Sequence, residues 1–408
     1  MDKTDFYANA RQDLNGPLAG IKVLETATTW AGPMCAAILA DLGADVIKVE
    51  VPSGDVGRAV EPKLPGTEIS FVHATVNRNK RAMSLDVRCE QGRDIFLRLA
   101  ADADIIVENF KVGTMDSYGL GYKHICEVKP DIVFVSITGW GQFGPNHQAA
   151  GYDPLAQAAS GFMSINGSPD APPTKAATFL ADDLGGLHAA IGAMAALRHR
   201  DQTREGQQVD IALQDAMLFQ CNGLATLGAL GVQPSRMGNE FAFAVPSNVY
   251  HCQDGDVYSG VLLDVHWKIL APILGEPELA QDDAYKQRDG RVVNREACNT
   301  LLAKWFSERT REQAIDIIRS AGLPIAPVNS FIDAAKDVHV QARDMLQPVV
   351  QTDGSEIPIT GPAAKFSRTP TRVRSAAPDI GQHNMEILTA MGFDESAVKS
   401  LLDAKVIA

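Results

Sequence analysis

Short apolar runs alternate with longer mixed stretches through the first half of the chain. "GIKVLETATTWAGPMCAAILADLGADVIKVEVP" (20–52) reads as strand, loop, helix, strand. A buried strand lies around Ile21–Leu24, and Gly32-Pro33 opens a helix, since proline is tolerated in a first turn. Gly43 closes that helix, and Val46–Val49 forms the next strand. "ADIIVENF" (103–110) and "DIVFVSITGWG" (131–141) are further buried strands, with helical stretches such as Gly92–Ala101 between them. "GQQVDIALQDAMLFQ" (206–220) runs from strand into helix. Strands alternating with helices imply an α/β fold with a parallel, doubly wound sheet, whose ligands sit beyond the carboxyl ends of the strands. That rule selects three loops: Thr28–Pro33, Asn109–Gly113 and Thr138–Pro145. None reads GxGxxG, so no dinucleotide site is expected.

After residue 224 the pattern changes. "PSRMGNEFAFAVPSNVYHCQDGDVYSGVL" is rich in turns and alternating strands, and Glu276–Leu323 is mostly helical with charged faces. From Asp344 the chain becomes extended, "TGPAAKFSRTP" has linker composition, and "GQHNMEILTAMGFDESAVKSLLDAKVIA" is a closing helical tail. The expected organisation is therefore a large domain from 1–224, a smaller α+β domain from 225–330, and a return through 331–408.

Composition narrows the function class. A chain of 408 residues, 45% hydrophobic and 21% charged, matches an ordinary globular protein. The formal net charge of -13 argues against a nucleic-acid partner but leaves room for a local basic patch. There is no basic and apolar leader at the N-terminus and no apolar run long enough to span a bilayer, so neither secretion nor a membrane is expected. Six scattered cysteines without a CxxC pair, and nine histidines without ligand spacing, point to a reducing cytoplasm and no metal.

Four places carry candidate chemistry. In "FLADDLGG" (179–186), Asp182 and Asp183 precede a long Ala-rich helix. An aspartate there is a preferred helix cap, but one suffices, and the spare carboxylate is a candidate covalent nucleophile. Gly185 and Gly186 leave room for close backbone approach by a ligand, and free N–H groups at the helix start can stabilise an oxyanion. His188, one turn on, reads either as a base or as a packed residue. In "GYDPL", Tyr152 and Asp153 read either as an anion contact or as a turn before a helix at Pro154. "NRNKRAMSLDVR" (77–88) gathers Arg78, Lys80, Arg81 and Arg88, a solvated edge or a phosphate patch. Asn109 and Phe110 end a strand where a planar base can stack on an aromatic ring.

Taken in order, "GIKVLETATTWAGPMCAAILADLGADVIKVEVPSGD", "NKRAMSLD", "VENFKVGTMDSYGLGY", "SITGWGQFGP", "GYDPLAQAASG", "FLADDLGG", "RMGNEF", "SAGLPIAPVNS" and "IGQHNMEILTAMGF" resemble the class III CoA-transferases across nearly the whole chain. The resemblance implies a Rossmann-like large domain that also takes the C-terminal tail, and two ring-shaped subunits threaded through each other. It places the catalytic aspartate at Asp182, with Asp183 as runner-up, and the CoA nucleotide at Leu85, Arg88, Asn109 and Phe110. Tyr152 resembles a tyrosine beside the nucleophile of formyl-CoA transferase, whereas Trp30 replaces the glutamine that enzyme has ahead of "AGP", and its Gly-rich lid loop is not recognisable here. Both departures argue against oxalate and formyl-CoA as substrates. The racemase branch of the same superfamily needs a histidine where this chain has Tyr152.

The implied reaction moves CoA from an acyl-CoA, with succinyl-CoA as donor, to an acid through an aspartyl anhydride and an aspartyl thioester. No permanently bound cofactor is implied, and CoA is a substrate. Trp30, Trp140, Phe143 and Phe162 fall in or near loops of one region, and they read either as a broad apolar pocket for a substituted succinate such as benzylsuccinate or as inward-packed residues that say nothing of the substrate. An α-methylacyl-CoA racemase, and a CoA-binding subunit paired with a paralogue in a heteromer rather than a homodimer, are the alternatives.

Overall fold

The apolar runs of the first half form six strands: β1 (Lys22–Glu25), β2 (Asp45–Glu50), β3 (Lys80–Ser84), β4 (Ile105–Glu108), β5 (Val133–Thr138) and β6 (Gln207–Ala212). They make one sheet in the order β3-β2-β1-β4-β5-β6, with every neighbouring pair parallel. This is a Rossmann-like doubly wound arrangement, in which the strand order reverses between β1 and β4. A computed structural model describes residues 2–408 of the chain. It resolves into two compact units, one of Met1–Phe162, Ala176–Ala229 and Val338–Ala408, the other of Met163–Lys175 and Leu230–Asp337.

Strand alternation sends side chains to two separate cores in the first unit. Val23, Val46, Ile105, Val107, Val133, Val135 and Ile137 face one side, and Leu24, Val49, Met83, Ile106 and Phe134 face the other. The first face is covered by α1 (Ala31–Asp41), and the second by α2 (Glu90–Asp102). Three further helices complete the first face: α3 (Asp153–Ala159), α4 (Leu180–Thr203) and α5 (Leu213–Phe219). The C-terminal helices Asn384–Ala390 and Glu395–Asp403 join the second face through Ile387, Leu388, Val398 and Leu401. Gly43, at φ +103°, ends α1 in the left-handed region where a side chain would be strained.

The second unit holds an antiparallel sheet of β7 (Ser247–Cys252), β8 (Gly255–Gly260) and β9 (Ile325–Pro327). Helices Asp264–Ile273, Arg295–Ser307 and Arg311–Ser320 pack around Trp267, Leu302, Phe306 and Ile318. Arg291 is fully buried there, donating to the carbonyls of Val245 (2.8 Å) and Tyr285 (2.9 Å) and to Asp264. Among the described residues no helix is long and apolar enough to cross a membrane.

Candidate active site

The reversal between β1 and β4 opens a crevice at the strands' carboxyl ends. A cleft of about 200 Å³ lies there, lined by Thr26, Thr28, Leu85, Arg88, Phe110 and Tyr118 among others. Of the four residues expected to hold a nucleotide, Leu85, Arg88 and Phe110 thus share one cleft. Asn109 has a different task. Its Oδ1 accepts from the Thr28 N–H and its Nδ2 donates to the Thr28 carbonyl, both at 2.8 Å, which ties the loop after β1 to the loop after β4. The turn carrying the Phe110 ring is fixed by its own N–H, donated to Glu108 at 2.9 Å. Burial pushes Glu108 up to about 7. Arg88 is largely exposed, and Asp86 grips its guanidinium through two bonds of 2.7 and 2.8 Å.

The basic stretch around β3 is neither a solvated edge nor a single patch. Arg78 is buried against Asp41 at 2.5 Å, and Arg81 pairs with Asp45 and Glu386 at the surface. Lys80 is buried, donating to Glu25 (2.7 Å), Asn77 (3.0 Å) and the Pro33 carbonyl (2.9 Å). Only Arg88 reaches the cleft. On β3 itself Lys80 and Arg81 part because successive strand residues point to opposite faces, while Arg78 precedes the strand and Arg88 follows it. Lys48 on β2 joins the buried group, reaching Glu25 (3.0 Å), Asp55 (2.9 Å) and the Ala27 carbonyl (3.0 Å). Asp55 in turn accepts from the N–H of Thr29 at 3.0 Å, a residue held at φ +66°.

That loop leads straight to the carboxylates. Trp30 precedes α1, is 9% exposed, and packs with Val72 and Val76. Its indole N–H donates to Asp183 at 2.6 Å. The expected capping of α4 by its own aspartates does not occur. Asp153, buried at the start of α3, accepts the Ala181 N–H at 2.7 Å and so caps the helix from 28 residues away in sequence. The bond from the Asp183 N–H to the Phe179 carbonyl (2.9 Å) then starts the intrahelical series. With Asp153 as the cap, both Asp182 and Asp183 are free of that role. Asp183 holds Trp30, and Asp182 is half-buried with no hydrogen-bond partner among the described residues. Burial, then the charges of Asp153 and Asp183, push Asp182 up to about 7.

Gly185 and Gly186 both stand at close packing contacts. A Cβ on Gly186 would stand 2.8 Å from the Ala31 carbonyl and 3.2 Å from the Cys35 nitrogen, so glycine is what lets α4 lie against α1. A Cβ on Gly185 would meet Leu213 at 2.4 Å. Tyr152 is 58% exposed beside Asp153. His188 is turned away from the carboxylates toward Phe219 and Gln220. The four aromatic residues do not line one pocket: Trp30 is packed, Trp140 donates to the Ala150 carbonyl at 3.0 Å, Phe143 is 79% exposed, and Phe162 packs on the first core.

Sequence reading missed the capping role of Asp153, the Trp30–Asp183 bond, and the buried Glu25, Lys48 and Asp55. A charged residue closing an apolar strand, as in "KVLE", is the signal that would have found Glu25. Among the described residues no group of His, Cys, Asp or Glu side chains is placed to hold a metal.

The sequence pattern of CoA-transferase family III matches residues 18–384. A succinyl-CoA:mesaconate CoA-transferase of Haloarcula hispanica is 36% identical over 386 residues, covering 92% of this chain and 97% of that protein. A succinate–glutarate CoA-transferase of Agrobacterium fabrum is 36% identical over 385 residues, covering 92% and 96%. The crystal structure of a CAIB/BAIF family protein from Brucella suis superimposes with a TM-score of 0.83 at 35% identity, covering 92% of this chain and all of that one.

Proposed function

Because the chain belongs to CoA-transferase family III, and so is an enzyme that moves CoA between carboxylic acids, we propose that it carries CoA from succinyl-CoA to a small dicarboxylic acid through covalent intermediates on Asp182. One observation carries the assignment of the nucleophile: of the three carboxylates at the start of α4, Asp182 alone has no hydrogen-bond partner among the described residues. A carboxylate raised to about 7 is more basic than usual yet still ionised in a large fraction of molecules near neutrality.

The Asp182 oxygen attacks the thioester carbonyl, the C–S bond breaks, and CoA leaves as thiolate. The resulting anhydride joins Asp182 to the succinyl group. The thiolate then attacks the aspartyl carbonyl of that anhydride, releasing succinate and leaving an aspartyl-CoA thioester. An acceptor carboxylate attacks this thioester and expels the thiolate, forming a second anhydride. Attack of the thiolate on the acceptor's carbonyl gives the new acyl-CoA and restores Asp182. Each step keeps an activated acyl group, so exchange needs no outside energy source, provided water is excluded from the anhydride. The cleft holding Leu85, Arg88 and Phe110 supplies the site for the nucleotide end of CoA.

The acceptors named for the relatives, mesaconate and glutarate, support a small dicarboxylate. The packing of Trp30 and Phe162 disfavours a bulky acceptor such as benzylsuccinate. Racemisation is disfavoured because Tyr152 stands where an imidazole is needed and His188 faces elsewhere. The same reading includes two interlocked copies, or a heteromer with a paralogue, burying Leu187, Ile191 and Phe219, which are exposed on α4 and α5; light scattering at the mass of a single chain would remove that part.

The test is thioester exchange from succinyl-CoA to a panel of acids, with wild type and Asp182→Ala compared. Wild type is expected to prefer a four- or five-carbon dicarboxylate, and Asp182→Ala to lose at least about 10⁴-fold in rate, as for loss of a covalent nucleophile. Substantial turnover by Asp182→Ala would overturn the mechanism. A preference for benzylsuccinate would overturn the acceptor class, and α-proton exchange with deuterated water without CoA transfer would favour the racemase.

A further inference from the structure

Three carboxylates meet at the start of α4, and their hydrogen bonding is unequal. Asp153 accepts two bonds, from the Ala181 N–H and from Gln157 Nε2, both at 2.7 Å. Asp183 accepts one side-chain bond, from the Trp30 indole at 2.6 Å, while its backbone N–H is fixed on Phe179. The indole is itself immobilised, edge-on to Phe179 at 5.1 Å and 6.4 Å from Phe71. Asp182, between these anchored anions, is left with their repulsion.

We propose that the Trp30–Asp183 pair is a positioning device for the nucleophile: it pins a second negative charge one residue from Asp182, so that Asp182 is a more basic carboxylate and its attack relieves the repulsion. This rests on the assignment of Asp182 as nucleophile. When Asp182 attacks, its charge passes to the departing thiolate, and the crowded site loses one of its three anions. A hydrogen bond to the charged form is what keeps the neighbour ionised. Burial also pushes Asp183 up, and the Trp30 bond works against that rise.

No other group competes for the role. The α3 helix brings only Asp153. The α1 helix carries no charge near its start, since its Asp41 is paired with Arg78 at the far end. The α5 helix brings Asp215, whose charge falls on Asp210. Strand β5 has no titratable residue, and Asp210 of β6 accepts the Gln142 N–H at 3.0 Å. On α4 itself His188 faces Phe219. Among the described residues none of the three carboxylates has a cationic partner.

The experiment is infrared difference spectroscopy of the whole protein across pH, following the protonated-carboxyl band that disappears in Asp182→Asn. Asp183→Asn is expected to lower the Asp182 midpoint by about one pH unit, the size of a neighbouring like charge. Trp30→Phe is expected to lower it by less, because Asp183 then protonates more readily, and the pH profile of CoA transfer should move in parallel. An unmoved midpoint in Asp183→Asn overturns the proposal, and so does a midpoint that rises in Trp30→Phe. Asp182→Ala that still transfers CoA would remove the nucleophile assignment, whereas the infrared midpoint decides the coupling by itself.

Discussion

Two clusters of charge in the first unit, one buried and one partly buried, are built on opposite principles. Beneath the loop after β1, Lys48 and Lys80 share Glu25, Lys48 also holds Asp55, and every charge has a partner within 3.0 Å. At the start of α4, Asp153, Asp182 and Asp183 carry the same sign, and among the described residues none is paired with a cation. The first cluster compensates its desolvation and spends it on geometry, since it fixes the loop that carries Thr28 and Trp30. The second leaves its repulsion uncompensated, and on the function proposed above that repulsion becomes reactivity at Asp182. Trp30 links them, standing on the paired cluster's loop and gripping the unpaired cluster's Asp183.

Breaking the paired cluster should have the largest effect. Glu25→Gln leaves Lys80 with no carboxylate and Lys48 with Asp55 alone, both in a site closed to water. Burial already lowers Lys80 to about 8, against the pull of Glu25. Removing one partner of a buried pair is expected to cost about 3–5 kcal/mol, read as a lower denaturation midpoint in urea. A loss under about 1 kcal/mol, within the range of surface pairs, would mean that this cluster is no more constrained than the surface.

Arg88 and Asp86 sharpen the contrast with an exposed pair. Arg88 is exposed at the cleft proposed for the nucleotide of CoA, and Asp86 holds two of its nitrogens. Arg88→Ala is expected to weaken CoA by roughly 1.5–3 kcal/mol, the range for hydrogen bonds to charged groups. Asp86→Asn should tighten CoA by loosening that grip. Calorimetry with CoA showing neither change would leave Arg88 as a surface ion pair and nothing more.

The sheet was largely legible, because buried parallel strands leave continuous apolar runs. Ile21–Leu24 and Val46–Val49 correspond to β1 and β2, and 103–110 and 131–141 enclose β4 and β5. The missed strand was β3. In "KRAMS" two cations stand where apolar residues are expected, and their counter-charges Glu25 and Asp45 lie 55 and 36 residues away. Nothing local records such a pairing. The same applies at α4, where the aspartates stood at a helix start but the cap came from Asp153. Gly185 and Gly186 marked close approach correctly in kind, yet the neighbours are Leu213 and α1. Residue type reveals that a charge or a gap is present, whereas only the fold reveals what meets it.

The smallest expected effect tests the unpaired cluster through stability alone. The folded state holds the Asp182 proton up to about 7, against 3.8 for an aspartate free in solution. Between those values the folded protein binds more protons than the unfolded chain, so this group's contribution is fully present below about 3.8 and is lost as pH rises through about 7. Asp182→Asn removes the titration while keeping the shape of the side chain. It should therefore abolish CoA transfer and yet stabilise the fold, with a gain larger at about pH 8 than at about pH 5. Because Asp182 is only half-buried, solvent screening reduces the difference between the two to about 1–2 kcal/mol. Thermal unfolding of wild type and variant at both pH values measures it. An equal gain at both would mean that the ionised Asp182 costs the fold nothing, and that the repulsion falls on Asp153 or Asp183 instead. A gain confined to high pH would mean that the site gives up stability to keep its nucleophile basic.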